Sequence, residues 1–174
     1  MQSASFRRPK RPLPQVFVTD PAPVFAAGLR CMHEQRMKAL PLAASHLSVR
    51  VFPFRRAGRH WLGTVVTPWS VLAVLACGDS RHWKPLPAGT AVDLTLAGGD
   101  FTFLAVDDPR LGHYFCCTLK SPVADFENQL AADTFARTCL DLMTTPPPPE
   151  RPAGEAFLSR RSFLTHLAQK EAPC

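Results

Sequence analysis

The side chains able to do chemistry are plentiful but poorly spaced for it. Six histidines (His33, His46, His60, His82, His113, His166) lie 13 to 53 residues apart, without an H-x-x-x-H pair or a Cys/His cluster of metal-ligand spacing. Six cysteines (Cys31, Cys77, Cys116, Cys117, Cys139, Cys174) form no C-x-x-C pair, and most sit among apolar residues, a pattern of buried thiols in a reducing compartment. The nearest approach to a ligand set is His113 with Cys116-Cys117. On a strand, residues 113 and 117 share a face and 116 takes the other, so at most one cysteine joins the histidine. G-x-S-x-G, P-loop and G-x-G-x-x-G motifs are absent from the sequence. Asp107-Asp108 precedes Pro109, where carboxylates cap turns more often than they move protons. The expectation is a non-enzyme with structural thiols, no resident metal and no cofactor.

Two blocks are unusual. In Trp61-Leu62-Gly63-Thr64-Val65-Val66-Thr67-Pro68-Trp69, a strand ends in a proline between two large aromatics. Pro68 is expected to stop ladder pairing and leave a sheet edge or bulge, where a tryptophan can anchor a bound peptide; core packing is the competing role. The second block, Ser159-Arg160-Arg161-Ser162-Phe163-Leu164, has the residue order of the twin-arginine export consensus S-R-R-x-F-L, but at the wrong end of the chain to export it. Its alternative role is a short terminal helix capped by Ser159, with Phe163, Leu164 and Leu167 on one side. Pro146 to Pro149 precede it as a semi-rigid polyproline spacer, which would let the segment fold back as a tethered mimic of an export signal.

Composition places these blocks on one domain with flanks. Of 18 prolines in 174 residues, only seven (Pro41, Pro53, Pro68, Pro85, Pro87, Pro109, Pro122) fall between residues 24 and 145. The expected organisation is a disordered basic proline-rich leader over 1–19, a domain over 20–145, and a spacer with its tail over 146–174. The net charge of +6 hides a similar division: residues 1–60 carry +9 (11 Lys/Arg, 2 Asp/Glu), residues 61–145 carry −4 (5 and 9), and residues 146–174 carry +1 (4 and 3). Neither basic cluster (Arg7, Arg8, Lys10, Arg11; Arg50, Arg55, Arg56, Arg59) has interleaved aromatics or a recognition-helix pattern, so a solvated face is favoured over a nucleic-acid-associated module. The longest apolar run, Val71 to Cys77, is too short to span a bilayer, and the Arg7-Arg8 leader lacks the apolar segment of an export signal. A cytoplasmic protein is expected.

Periodicity supplies the elements. Asp20-Pro21 starts a helix carrying Phe25, Leu29, Met32 and Arg36 at helical spacing, which Pro41 ends. Leu47 to Val51 and Trp61 to Val66 read as a hairpin with Gly58 in its turn; Val71 to Ala76 reads as a buried strand, Ala91 to Leu96 and Phe101 to Val106 as a second hairpin, and His113 to Leu119 as a last strand. Asp125 to Leu142 reads as a helix whose apolar stripe is Phe126, Leu130, Ala131, Phe135, Cys139 and Leu142. The fold class is α+β: an antiparallel sheet of five to six strands with an N-terminal and a C-terminal helix packed on it, flanked by proline-rich tails.

These pieces resemble the HybE family of [NiFe]-hydrogenase assembly chaperones. The resemblance rests on Trp61, Gly63, Thr67, Pro68 and Trp69; on Trp83-Lys84-Pro85-Leu86 and Gly89; on Gly99-Asp100-Phe101-Thr102-Phe103; on Leu111-Gly112-x-Tyr114 leading to Cys117-Thr118-Leu119-x-Ser121-Pro122; and on Arg160-Arg161-x-x-Leu164. It implies a cytoplasmic accessory protein that binds the iron-sulfur small-subunit precursor of a hydrogenase, including its twin-arginine signal peptide, until assembly is complete. Other accessory proteins are possible further partners. Some relatives carry a rubredoxin-like part with C-x-x-C pairs, which this chain lacks, so metal or iron-sulfur delivery is the weaker implication. Trp61, Gly63, Thr67, Pro68, Trp69, Trp83, Asp100, Asp107, Asp108, Tyr114, Cys117, Ser121 and Pro122 are the expected protein-binding residues, and Ser159, Arg160, Arg161, Phe163 and Leu164 the twin-arginine-like tail. A twin-arginine signal presents two cations and then an apolar segment. Its receptor therefore needs carboxylates, here drawn from Asp79, Asp93, Asp100, Asp107 and Asp108, beside an apolar groove near Trp69 and the Val71 to Leu75 strand.

Overall fold

Pro53 interrupts the alternating run that begins at Leu47. Because proline has no N–H to give a ladder, that run yields only β1 (Arg50–Val51) before the break and β2 (Arg55–Ala57) after it, both antiparallel to β3 (His60–Val66). The computed structural model describes residues 13–37 and 43–147. Within them β4 (Val71–Ala76), β5 (Ala91–Leu96), β6 (Gly99–Asp108) and β7 (Gly112–Lys120) complete an open antiparallel sheet in the order β1-β3-β4-β7-β6-β5, with β2 also on β3. The α+β class and the two flanking helices stand as expected. The sheet has seven strands rather than five to six, because Arg55–Ala57, expected in the turn before Trp61, pairs with β3 as a strand of its own.

The two helices cover opposite faces, and strand alternation decides what each receives. Helix α1 (Ala22–Met32) buries Phe25 and Leu29 against Val65, Val74, Ala76 and Tyr114, and one π-helical turn, His33–Met37, extends it. Its start is fixed by Asp20, whose Oδ1 accepts from the Ala22 amide at 2.9 Å and from the Phe54 amide at 3.1 Å. Helix α2 (Gln129–Thr144) lies on the other face, its Leu140 and Met143 packing with Leu62, Leu75, Phe103 and Phe115. Asn128 caps it, accepting from the Ala131 amide at 3.0 Å.

Three expectations need correction. The buried stripe of α2 is Ala132, Asp133, Ala136, Cys139, Leu140 and Met143, whereas Leu130 and Leu142 are 73% and 47% exposed. Small alanines let the helix approach the sheet closely, which a stripe weighted towards large apolar residues misses. Pro68 opens no sheet edge, because β3 and β4 are interior strands paired up to Val66–Val71 and Pro68 lies in the loop between them. The composition-based boundary at residue 20 also falls too late. Residues 13–19 lie against the sheet: Phe17 is buried, its amide donates to the Cys77 carbonyl at 2.8 Å, and the His113 amide donates to the Leu13 carbonyl at 3.3 Å. Residues 1–12 and 148–174, including the first basic cluster and Ser159 to Leu164, lie outside the described residues.

Candidate functional site

A cleft of about 460 Å³ opens where the sheet's edge strand meets the end of α2. Leu62, Leu75, Leu94, Leu96, Ala97 and Met143 make it apolar, and Arg56 and His60 from the β2–β3 hairpin form one polar wall. The two-residue turn Ala97–Gly98 draws β5 and β6 against α2: the Gly98 amide donates to the Met143 carbonyl at 2.9 Å, and a Cβ on Gly98 would lie 1.9 Å from the Leu142 carbonyl oxygen. Only glycine permits so close a backbone approach.

Two carboxylates project from the other face of the β5–β6 hairpin that walls this cleft. Thr95, part of its lining, donates through its hydroxyl to Asp100 Oδ1 at 2.7 Å, and across the same hairpin the Thr102 hydroxyl donates to Asp93 Oδ1 at 2.6 Å. The register pairs Thr95 with Asp100 and Asp93 with Thr102, so both carboxylates share one exposed face at the diagonal spacing of about 7–8 Å, with Leu104 44% exposed on it. Of the five acidic residues expected to serve a cationic peptide, Asp93 and Asp100 converge. Asp79 is committed to Arg59 at 3.5 Å and to His82 at 2.8 Å, and its bond to His82 holds its carboxyl below the usual range. Asp108 caps a turn, accepting from the Arg110 and Leu111 amides at 2.8 and 3.0 Å, and Asp107 is exposed on the β6–β7 hairpin.

Two of the expected tryptophans support the walls of the cleft. Trp61 carries the Arg56 guanidinium 4.0 Å from its ring and donates through Nε1 to the Phe17 carbonyl at 2.9 Å. Trp83, 7% exposed, packs edge-on to His60 with ring centroids 4.9 Å apart. Gly63 leaves room for the Phe54 ring, which its Cβ would meet at 2.4 Å. Tyr114 is buried edge-on to Phe25, and Cys117 is half-buried on the α2 face. Thr67, Pro68, Trp69 and Ser121 gather at the β3–β4 loop instead: the Thr67 hydroxyl donates to the Ser70 carbonyl at 2.7 Å, and the Ser121 hydroxyl to the Trp69 carbonyl at 3.3 Å. Trp69 stacks on His33 at 5.8 Å, and Pro122, after a cis peptide bond, is exposed. The Val71 to Leu75 strand is an interior strand whose residues, Leu72 apart, are buried, so it offers no open groove. Sequence reasoning missed Leu94, Leu96, Gly98, Met143, Arg56 and His60 as one surface; the alternation Val92-x-Leu94-x-Leu96 on a strand ending in Gly98-Gly99 was the only local signal.

His113 has no nitrogen to spare for a metal. Trp83 Nε1–H can only donate, and it reaches His113 Nδ1 at 2.9 Å, so the imidazole is neutral, with the Leu86 amide and carbonyl facing Nε2 at 3.1 and 3.0 Å. Burial holds its pKa below the ordinary 6.5. Native stability is therefore complete above that value and declines as pH falls through it, because the unfolded chain takes up a proton that the folded chain refuses. Half-buried His60, also shifted down by burial, acts in the same direction. The urea midpoint is expected to drop between about pH 7.5 and about pH 5.5, and less steeply in His113→Gln; a flat profile contradicts the neutral-imidazole assignment. Burial raises the thiols of Cys77, Cys116 and Cys117, and that of Cys139 to about 11, keeping them protonated and unreactive.

The second basic cluster is largely neutralised: Arg50 pairs with Asp133 at 3.4 Å, Arg55 with Asp141 at 2.6 Å and Arg59 with Asp79 at 3.5 Å. Among the described residues no helix is long and apolar enough to cross a membrane.

An open seven-stranded antiparallel sheet between two helices, with a mostly apolar cleft at its edge, defines the class of protein. The sequence profile of the family described as "[NiFe]-hydrogenase assembly, chaperone, HybE" matches residues 20–166. The chain belongs to this HybE family of [NiFe]-hydrogenase assembly chaperones. It is 30% identical over 146 residues to Protein HoxT of Cupriavidus necator, covering 77% of this chain and 82% of that one. It is 29% identical over 151 residues to the Hydrogenase-2 operon protein HybE of Escherichia coli O157:H7, covering 84% and 93%. The solution structure of HybE from Escherichia coli superimposes with a TM-score of 0.63 at 23% identity, over 86% of this chain and 93% of that one, a likeness of fold.

Proposed function

We propose that this protein is a cytoplasmic, non-catalytic chaperone that holds the iron-sulfur small-subunit precursor of a [NiFe] hydrogenase through its twin-arginine signal peptide until assembly is complete. The observation that carries this reading is the apolar cleft floored by Leu62, Leu75 and Met143 at the edge strand β5, whose hairpin exposes two carboxylates without a salt-bridge partner among the described residues, Asp93 and Asp100, on its other face. A guanidinium pair forms charge-assisted bonds with the carboxylates on one face of the hairpin, and the apolar residues that come after it cross the β5 edge into the cleft on the other. Arg56 on the far wall repels cations and so sets the direction in which the peptide lies. Trp69 and the β3–β4 loop, away from the cleft lining, are available to the body of the subunit.

A pull-down with the full chain as bait tests the reading. The precursor carrying its signal peptide is expected to be retained, and the same subunit without it to be lost. Equal retention of both would move the contact away from the signal. A second reading, a nucleic-acid-associated module, draws no support from the paired arginines.

A further inference from the structure

The cleft is bordered by backbone as well as by side chains. Side chains alternate along a strand, so a cavity lined by one face of a sheet meets every second residue. This one is lined by four consecutive residues of β5 and its turn, Leu94 to Ala97, and by three of the β2–β3 hairpin, Arg56 to Gly58. It therefore runs along the edges of two strands. β5 ends the sheet on one side, β2 pairs only with β3 among the described residues, and Leu62, Leu75 and Met143 floor the space between them. The hydrogen-bond phase of β5 fixes which of its backbone groups are open. The two-residue turn Ala97–Gly98 makes Leu96–Gly99 a bonded pair, and bonded pairs recur at every second residue, at Leu94–Phe101 and Val92–Phe103. The Ala105 amide, which donates to the Thr90 carbonyl at 2.8 Å, continues the same phase. Ala91, Asp93 and Thr95, all exposed, therefore turn their N–H and C=O groups away from β6, with no strand beyond them among the described residues.

We infer that the cleft takes a peptide as an added strand, in the gap between β5 and β2, through the backbone N–H and C=O groups of Asp93 and Thr95. An added strand presents side chains to both faces of a sheet, and so a single ligand meets two surfaces here. Every second side chain enters the cleft against Leu94, Leu96 and Met143. Those between emerge on the opposite face beside Asp93, with Asp100 behind it and neither carboxylate in a salt bridge among the described residues. The occupant is thus an extended segment with apolar side chains on one face and cationic ones on the other. A second copy of this chain does not fit, because its β5, paired antiparallel, would set another Asp93 and Asp100 on a face that already carries two carboxylates. A helix does not fit either, since its backbone groups are spent internally and none is left for a sheet edge. That the occupant is the signal peptide rests on the proposed function; the mode of binding does not.

The test is residue-resolved amide hydrogen exchange on the full chain, with a synthetic twin-arginine signal peptide as the first probe and a hexapeptide of alternating leucine and lysine as the second. Binding is expected to slow exchange of the Asp93 and Thr95 amides by about tenfold or more, and to leave those of Val92 and Leu94, already bonded to β6, within about twofold. N-methylation along the backbone of the bound peptide is expected to cost about three- to tenfold in affinity at every second position and little between, because only alternate amides face β5. A loss without that alternation overturns the inference. A signal peptide that binds without slowing the two amides overturns it too, and leaves the proposed function standing. If the signal peptide does not bind while the alternating hexapeptide slows the two amides, the proposed function falls and the added strand stands. Slowing by neither peptide overturns the inference.

Discussion

Replacing Gly98 with alanine is expected to destabilise the protein by about 2–3 kcal/mol, the cost of forcing atoms into packed space. The added Cβ would lie 1.9 Å from the Leu142 carbonyl oxygen and 2.9 Å from Met143 Cα. Both are backbone atoms, and neither can rotate aside. The β5–β6 turn must therefore withdraw from α2, breaking the 2.9 Å bond from the Gly98 amide to Met143 and spreading the walls of the cleft. Gly28→Ala makes a useful contrast, since its Cβ would meet only the flexible Leu111 side chain, at 2.6 Å. Urea titration of the two variants is expected to place Gly98→Ala well below Gly28→Ala in midpoint, with signal-peptide binding lost in Gly98→Ala. Wild-type stability in Gly98→Ala would show that α2 and the turn are not held at this distance.

The second large effect is on binding. Asp93→Asn with Asp100→Asn preserves the size and the hydrogen-bond acceptors that Thr102 and Thr95 use, and removes two negative charges from the β5–β6 face. Signal-peptide affinity is expected to fall about tenfold at low salt, and the gap between wild type and variant to narrow as ionic strength rises, because exposed charge pairs are screened. Asp125→Asn, which removes a carboxylate paired with Lys120 at 2.7 Å, serves as the control and is expected to leave affinity unchanged. An equal loss in the control would mean that net charge, not this face, governs binding.

The elements were largely legible because their alternation is strict. Val71 to Ala76 and Ala91 to Leu96 carry the strand boundaries expected of them, and Gly58, with φ +60, turns the β2–β3 hairpin as expected. What the sequence hid depends on neighbours far along the chain. The face of α2 that meets the sheet is chosen by Ala132 and Ala136, whose small size looks uninformative until the approach of the helix is known. The role of Gly98 is set by Leu142, more than forty positions away, and no local rule separates it from a turn glycine.

The cleft was illegible for the same reason. Its walls come from the β2–β3 hairpin, the edge strand β5 and the last turn of α2, and the two carboxylates belong to a hairpin whose register assigns them together to its other face. The Trp61 to Trp69 block drew the eye because tryptophan is rare, yet Trp61 stands behind Arg56 and Trp69 belongs to the β3–β4 loop.

The most direct measurement is a heteronuclear NMR titration of the full chain with the twin-arginine signal peptide of the small-subunit precursor. The account predicts saturable changes concentrated at Leu62, Leu75, Leu94 to Asp100 and Met143, with Asp93 included. Changes centred on Trp69, Ser121 and Pro122, or no saturable change at all, would contradict it.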